Sequence, residues 1–337
     1  MLTLEEFLQE TFQGYVENVP PTRNYHLASL LPAKNVYDLK FAYNVINKVY
    51  SRTASITGFN SDAPLRDKDG LAKHFGELAK IQHGFKIDEE ELLRFNQPRN
   101  DDEKQEAVNY VYDQTDNLVQ GARDTEEWLR AQVLYKGAIK YEENDVVIDV
   151  DFGIPEENKL TASVPWSDFA NAKPLEDLQT AVQQFRKKNN NQKPVIIHMS
   201  SKAEANLLRN EQIKMQVFGA QNSTRLLTKN DLVNVFSSLS LPPYLVNDDM
   251  IDNGNGAEFL LPENRVVMLG TQLGNTFFGP TVEKNYQAGI YVLPIIETKP
   301  PRQEVYVGET VFPALQRPNA VLFLDVEEVA EEGTEEA

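Results

Sequence analysis

From about Asp101 to about Lys136 the apolar residues Val108, Val111, Leu118, Ala122, Leu129 and Val133 recur at steps of three, four and seven, which draws one buried stripe along a helix. Asp113, Asp116, Asp124 and Arg130 fall on other faces, no proline interrupts the run, and its only glycine is Gly121. At 1.5 Å per residue the rod would be roughly 54 Å long, about three times the mean helix of a compact domain. Asp101, Asp102 and Glu103 suit the positive end of the helix dipole, and Gly137 after Lys136 supplies the stop. A strict heptad is not sustained and the pattern offers no comparable second helix, so the rod reads as the spine of an extended subunit rather than half of a coiled coil.

Before the spine, the pattern predicts a short amphipathic helix from Thr3 to about Phe12, a turn at Pro20 and Pro21, and an arm around His26 to Leu31 packed on something else. Val45, Ile46, Val49 and Tyr50 lead into a long loop, and Leu78, Ile81, Phe85 and Ile87 lead back. Between them Gly58 to Gly70 is too polar to bury a core, and a loop of that length is usually functional. Asp88 then caps a short helix with Glu91 in the capping-box position.

After the spine, Asp145 to Asp151 has the β-branched content of a strand. Pro174 opens a helix with Glu176 and Asp177 in its first turn and Arg186, Lys187 and Lys188 in its last. A short buried strand at Val195 to His198, a helix from about Lys202 to Arg209 and another after Thr228 follow. Strands are expected at Tyr244 to Val246, around Phe259 and Val267, at Gly289 to Glu297, Glu304 to Val307 and Ala320 to Asp325, with a turn at Asn253 to Gly256.

The 337 residues, 41% hydrophobic, suffice for a sizeable core. With 33 basic against 51 acidic residues the net charge is -18, which disfavours tight binding to nucleic acid through its phosphates. Absence of cysteine excludes disulfides and thiolate chemistry. The acidic start and the lack of a long apolar run predict a soluble chain, intracellular when made, with no membrane association.

Candidate chemistry is thin. His26, His74, His83 and His198 are scattered, and His198 reads as a satisfied core residue. Asp149 and Asp151 share a strand face and have the oxygen donors for Mg²⁺, but read better as solvated edge residues. Asp248 and Asp249 follow a strand end, among the turn formers Asn247, Asp252 and Asn253. Ser200, Ser201 and Lys202 open a helix without a Gly-x-Ser-x-Gly elbow, so helix capping is the better account. No glycine-rich phosphate loop occurs, and the Asn222-Ser223-Thr224 sequon carries no weight. No catalytic, cofactor or metal site is expected.

Several runs carry a resemblance. Glu126, Glu127 and Trp128 lead into Leu129-Arg130-Ala131-Gln132-Val133-Leu134 and Lys136-Gly137, and an acidic strand follows to Asp151-Phe152-Gly153. Trp166-Ser167, Leu261-Pro262-Glu263-Asn264, Val267-Met268-Leu269-Gly270, and Pro318 with Ala320 to Asp325 complete the set. In these runs and in its order of elements the chain resembles tailed-phage major capsid proteins of the Hong Kong 97 fold, and among them the lambda-type capsid protein E family. The resemblance spans residues 40–326 by element order and is specific from about residue 120. It implies an α+β fold with an N-terminal arm (1–40), an extended β-hairpin loop (41–86) and a peripheral domain (87–151) built on the spine at 101–136. An axial α/β domain (152–288), strands returning to the peripheral domain (289–326) and a disordered acidic tail (327–337) complete it.

The implied function is structural: self-assembly as hexamers and pentamers into an icosahedral virion shell around double-stranded DNA, without sequence-specific DNA contact and without catalysis. Scaffolding, portal and decoration proteins are the implied partners, with assembly in the host cytoplasm. Arg66, Lys68, Asp69 and Lys73 are the expected intersubunit contacts of the loop. The rival readings are an α/β enzyme with a site near Asp248 and Ser200, and a phage tail tube or sheath subunit.

Overall fold

The computed structural model describes residues 9–45, 72–143, 146–219, 225–252, 256–299 and 301–327. In chain order it holds α1 (Gln9–Asn18), β1 (Ala33–Asn35), β2 (Lys40–Val45), β3 (Ala72–Glu77), β4 (Ala79–Ile87), α2 (Glu89–Asn96) and the long α3 (Asp101–Ala131), continued by a π-helical turn, Gln132–Lys136. Then come β5 (Ala138–Glu143), β6 (Val146–Asp151), β7 (Lys159–Thr161), α4 (Pro174–Lys188), β8 (Ile196–Met199), α5 (Ser201–Arg209), α6 (Glu211–Phe218), α7 (Lys229–Ser238), β9 (Tyr244–Val246), β10 (Met250–Asp252) and β11 (Ala257–Phe259). The chain closes through β12 (Arg265–Leu269), β13 (Gly274–Phe278), β14 (Pro280–Thr281), β15 (Gln287–Ala288), β16 (Tyr291–Thr298), β17 (Pro301–Leu315) and β18 (Val321–Asp325). None of the described helices is long and apolar enough to cross a membrane.

The first of two compact units comprises Met1–Tyr43, Phe75–Arg130 and Gly274–Ala314. Its sheet runs β1-β13-β17-β16, with β4 also paired to β17. The antiparallel β4–β17 ladder extends from Gln303↔Ile87 to Val311↔Ala79. The apolar stripe of α3, through Val108, Val111, Leu118 and Val119, packs against Val292, Val305 and Val307 of the sheet and against Phe12, Val16 and Val19. Gly121 permits this approach: a Cβ there would overlap the His83 ring, whose Nε2 lies 2.6 Å from the Leu118 carbonyl on the same helix.

The N-terminal segment packs within its own unit, its helix and the turn at His26 to Leu31 against the spine and β1 beside β13. Phe12, Val16, Leu27 and Leu31 are buried. Tyr15 donates to Asp116 at 2.6 Å, Tyr25 to Asp124 at 2.9 Å, and the Leu27 N–H to Glu127 at 2.7 Å. The first helix also runs to Asn18, past the expected end at Phe12, because Phe12 and Val16 continue one buried face.

The second unit comprises Asn44–His74, Ala131–Leu273 and Leu315–Ala337. Its sheet runs β7-β18-β12-β8-β9, antiparallel between β18, β12 and β8 and parallel at both edges. Helix α4 starts with Pro174 at its first position and buries Leu178 and Phe185 as its period predicts. The segment expected to return as one piece divides: β16 and β17 up to Ala314 belong to the first unit, whereas β18 lies between β7 and β12 in the second sheet. Strand β5 and helix α6 are unmarked by the sequence pattern. β5 is half polar, and α6 follows α5 after the single residue Asn210, whose side chain accepts from the Gln212 and Ile213 N–H groups and turns the corner.

Candidate functional site

The residues with possible chemistry are occupied by structural tasks. Ser200 caps α5, accepting from the Ala203 N–H at 3.1 Å, and its hydroxyl donates to the Glu263 carbonyl at 2.7 Å. Asp248 accepts from the Ser201 N–H at 2.8 Å and so holds the same helix start from a distant turn. His198 is buried and shares a 2.7 Å hydrogen bond with the Tyr135 hydroxyl, which also accepts from Asn247 at 2.9 Å. Asn247 has the turn role expected of it, its Oδ1 accepting from the Asp249 N–H at 2.9 Å, and is in addition an internal polar tie to Tyr135, 112 positions away, which leaves no local signal.

Asp151 accepts from the Gly153 N–H at 2.8 Å, and Asp149 stands opposite Lys140 across the β5–β6 hairpin. The four histidines lie on four separate elements. Among the described residues no three His, Cys, Asp or Glu side chains converge as a metal site.

The runs that carry the sequence resemblance hold each unit together. In the first unit Arg130 pairs with Glu126, donates to Glu127 at 3.1 Å, and reaches Thr276 Oγ1 on β13 at 3.0 Å. Thr276 in turn donates to the Leu31 carbonyl at 2.8 Å. Glu309 of β17 is buried beside this cluster; burial first, and the Glu126 charge second, push its carboxyl well above the usual glutamate range.

In the second unit Arg265 grips Asp325 through two bonds of 2.7 and 3.0 Å and donates to the Tyr135 carbonyl, joining β12, β18 and the π-helical turn. Trp166 is fully buried, with its indole N–H on Asp177 at 3.0 Å. The Glu263 carbonyl of the Leu-Pro-Glu-Asn turn is the acceptor for Ser200.

Of the expected contact residues, Arg66, Lys68 and Asp69 lie outside the described residues, as do Gly58 to Gly70, Asn222 to Thr224, Asn253 to Asn255 and residues 328–337. Lys73 lies in β3, which pairs with β2. The outgoing strand alternates, with Phe41, Tyr43 and Val45 buried, and the Phe41 ring stacks at 4.4 Å on Phe277 of the first unit's sheet. Phe41 is a root anchor that the alternation in Lys40 to Val45 could have revealed. Exposed apolar side chains gather beside short connections: Tyr37 and Leu39 before β2, Val146 and Val147 at the start of β6, and Val282 and Tyr286 between β14 and β15.

Comparison with known proteins accounts for a chain rich in structural ties. It matches a crystal structure of a prophage protein of Escherichia coli CFT073 described as a capsid protein, at 12% identity over 95% of this chain and 99% of that one, with a TM-score of 0.62. A phage-related protein of Bordetella bronchiseptica RB50 matches at 13% identity over 93% and 94%, with a TM-score of 0.55. A subunit of the mature capsid of bacteriophage PhiM1 matches at 10% identity over 92% and 89%, with a TM-score of 0.50. No curated protein matches the sequence. The shared fold is the α+β fold of Hong Kong 97-type capsids. The family model for phage major capsid protein E matches residues 10–326. The chain therefore belongs to the phage major capsid protein E family, and is a structural protein of the virion shell and not an enzyme.

Proposed function

We propose that this subunit assembles as hexamers and pentamers into an icosahedral head enclosing a double-stranded DNA phage genome. The family match over residues 10–326 carries the reading. The first unit serves as the peripheral domain with the spine, and the second as the axial domain around the symmetry axes. The segment between β2 and β3 crosses onto a neighbouring subunit, with Arg66, Lys68, Asp69 and Lys73 as its contacts. The net charge of -18 supports a lining along which packaged DNA slides without sticking. A scaffolding protein, a portal and a decoration protein are its partners, and assembly takes place in the host cytoplasm.

Electron microscopy of the chain expressed with its neighbouring phage proteins is expected to show closed shells. Monodisperse monomers or dimers under the same conditions would refute the proposal. Replacing Ser61 to Asp69 by a short Gly-Ser link is expected to leave a folded subunit with near-native thermal unfolding that no longer builds shells, because a contact repeated by symmetry is lost everywhere at once. Normal shells from that variant would remove the loop from the interface, and an unfolded variant would assign it to the core.

A further inference from the structure

The ion cluster inside the first unit balances only if one of its acids is neutral. Helix α3 supplies two cations, Arg123 and Arg130, and two acids, Glu126 and Glu127, while β17 adds Glu309 at 2% exposure. Arg130 pairs with both helix acids, and Arg123 donates to the Val19 carbonyl at 2.7 Å. Arg123 keeps its Nη1 without a partner, yet two cations against three carboxylates leave one negative charge over. Glu309 lies beside Glu126, whose charge disfavours a second carboxylate there. Its Oε1 has no hydrogen-bond partner, which suits the carbonyl oxygen of a neutral acid and is costly for a carboxylate.

Among the described residues, the other elements packed on Glu309 supply no further cation. Opposite it on β4 stands Ile81, and His83, two residues along, is turned to the Leu118 carbonyl. Strand β13 contributes the Thr276 hydroxyl, and the N-terminal segment the Leu27 N–H on Glu127. Lys80, Tyr291 and Glu283 cluster with Gly308 and Thr310, whose side of the strand is opposite to that of Glu309.

We propose that Glu309, buried beside the Glu126–Arg130 pair, is a proton-binding site that holds one proton at neutral pH and thereby fastens β17 to the spine helix. Burial and the neighbouring acid raise Glu309 far above the ordinary glutamate value of 4.5. The folded chain therefore keeps a proton that the unfolded chain has released above 4.5. This stabilisation is fully present below that value and is lost as pH rises through the folded pKa.

Infrared spectroscopy of the native protein at neutral pH, in heavy water, reads the site directly. A protonated-carboxyl stretch is expected in the wild type and is expected to vanish in Glu309→Gln, whose thermal midpoint should also fall less steeply with rising pH. A wild type without the band, or a band unchanged in Glu309→Gln, would overturn the proposal. If Glu309→Gln does not fold, the wild-type band is followed into alkaline pH. Its decay in step with a falling thermal midpoint supports the proton site, and decay with a flat midpoint overturns its fastening role.

Discussion

Ser200 and Asp248 converge on one helix start from positions 48 residues apart, and both serve geometry rather than reaction. Ser200→Ala is expected to lower stability by about 1–2 kcal/mol through the lost cap and the stranded Glu263 carbonyl, and Asp248→Ala by about 1 kcal/mol. Urea unfolding of each variant measures this, with shell yield as the control. A lost enzymatic activity in either would contradict the structural assignment. The capping role of Ser200 is legible from a serine between a strand and a helix, as is the capping box of Asp88 and Glu91. The turn role of Asn247 is legible too, since its Oδ1 accepts from the Asp249 N–H, but its tie to Tyr135 and the role of Glu309 are not, because those partners lie more than a hundred positions away.

At the scale of elements, periodicity served the spine well because one face of α3 is buried along nearly its whole length. It missed the change of pitch at the end. Gln132, Val133, Leu134 and Tyr135 are all buried, and four consecutive residues cannot lie on one stripe of a helix with 3.6 residues per turn. Strand β17 was legible only at Glu304 to Val307, because burial is unbroken from Val307 to Leu315 and a strand covered on both faces loses its alternation. Where helix and sheet meet, Gly121 faces His83. Alanine is the better helix former by about 1 kcal/mol, yet Gly121→Ala is expected to destabilise because the new methyl meets the imidazole. In a His83→Ala background the same change should become neutral or stabilising. A double-mutant cycle by chemical denaturation decides, and additive effects would mean that the ring simply swings aside.

For the whole molecule, the sequence conveyed the order of elements and a structural role, but not the partition of strands. Pairing partners across two hundred residues leave no mark in a local pattern, as the Gln13 bond to the Ile290 carbonyl illustrates. That partition bears on biosynthesis. The first unit's sheet needs β13, β16 and β17, and the second unit's sheet needs β18, so each awaits the last part of the chain. A ribosome-bound chain ending after Leu273 is expected to remain open to protease throughout residues 9–130. A resistant fragment from that region would show instead that the helices and β4 fold without their later partners. Sequence separation of this kind slows folding and leaves apolar faces uncovered meanwhile. It also acts as a clock: a nascent subunit cannot present its finished surface to another copy until translation is nearly over, which separates the birth of each chain from its recruitment.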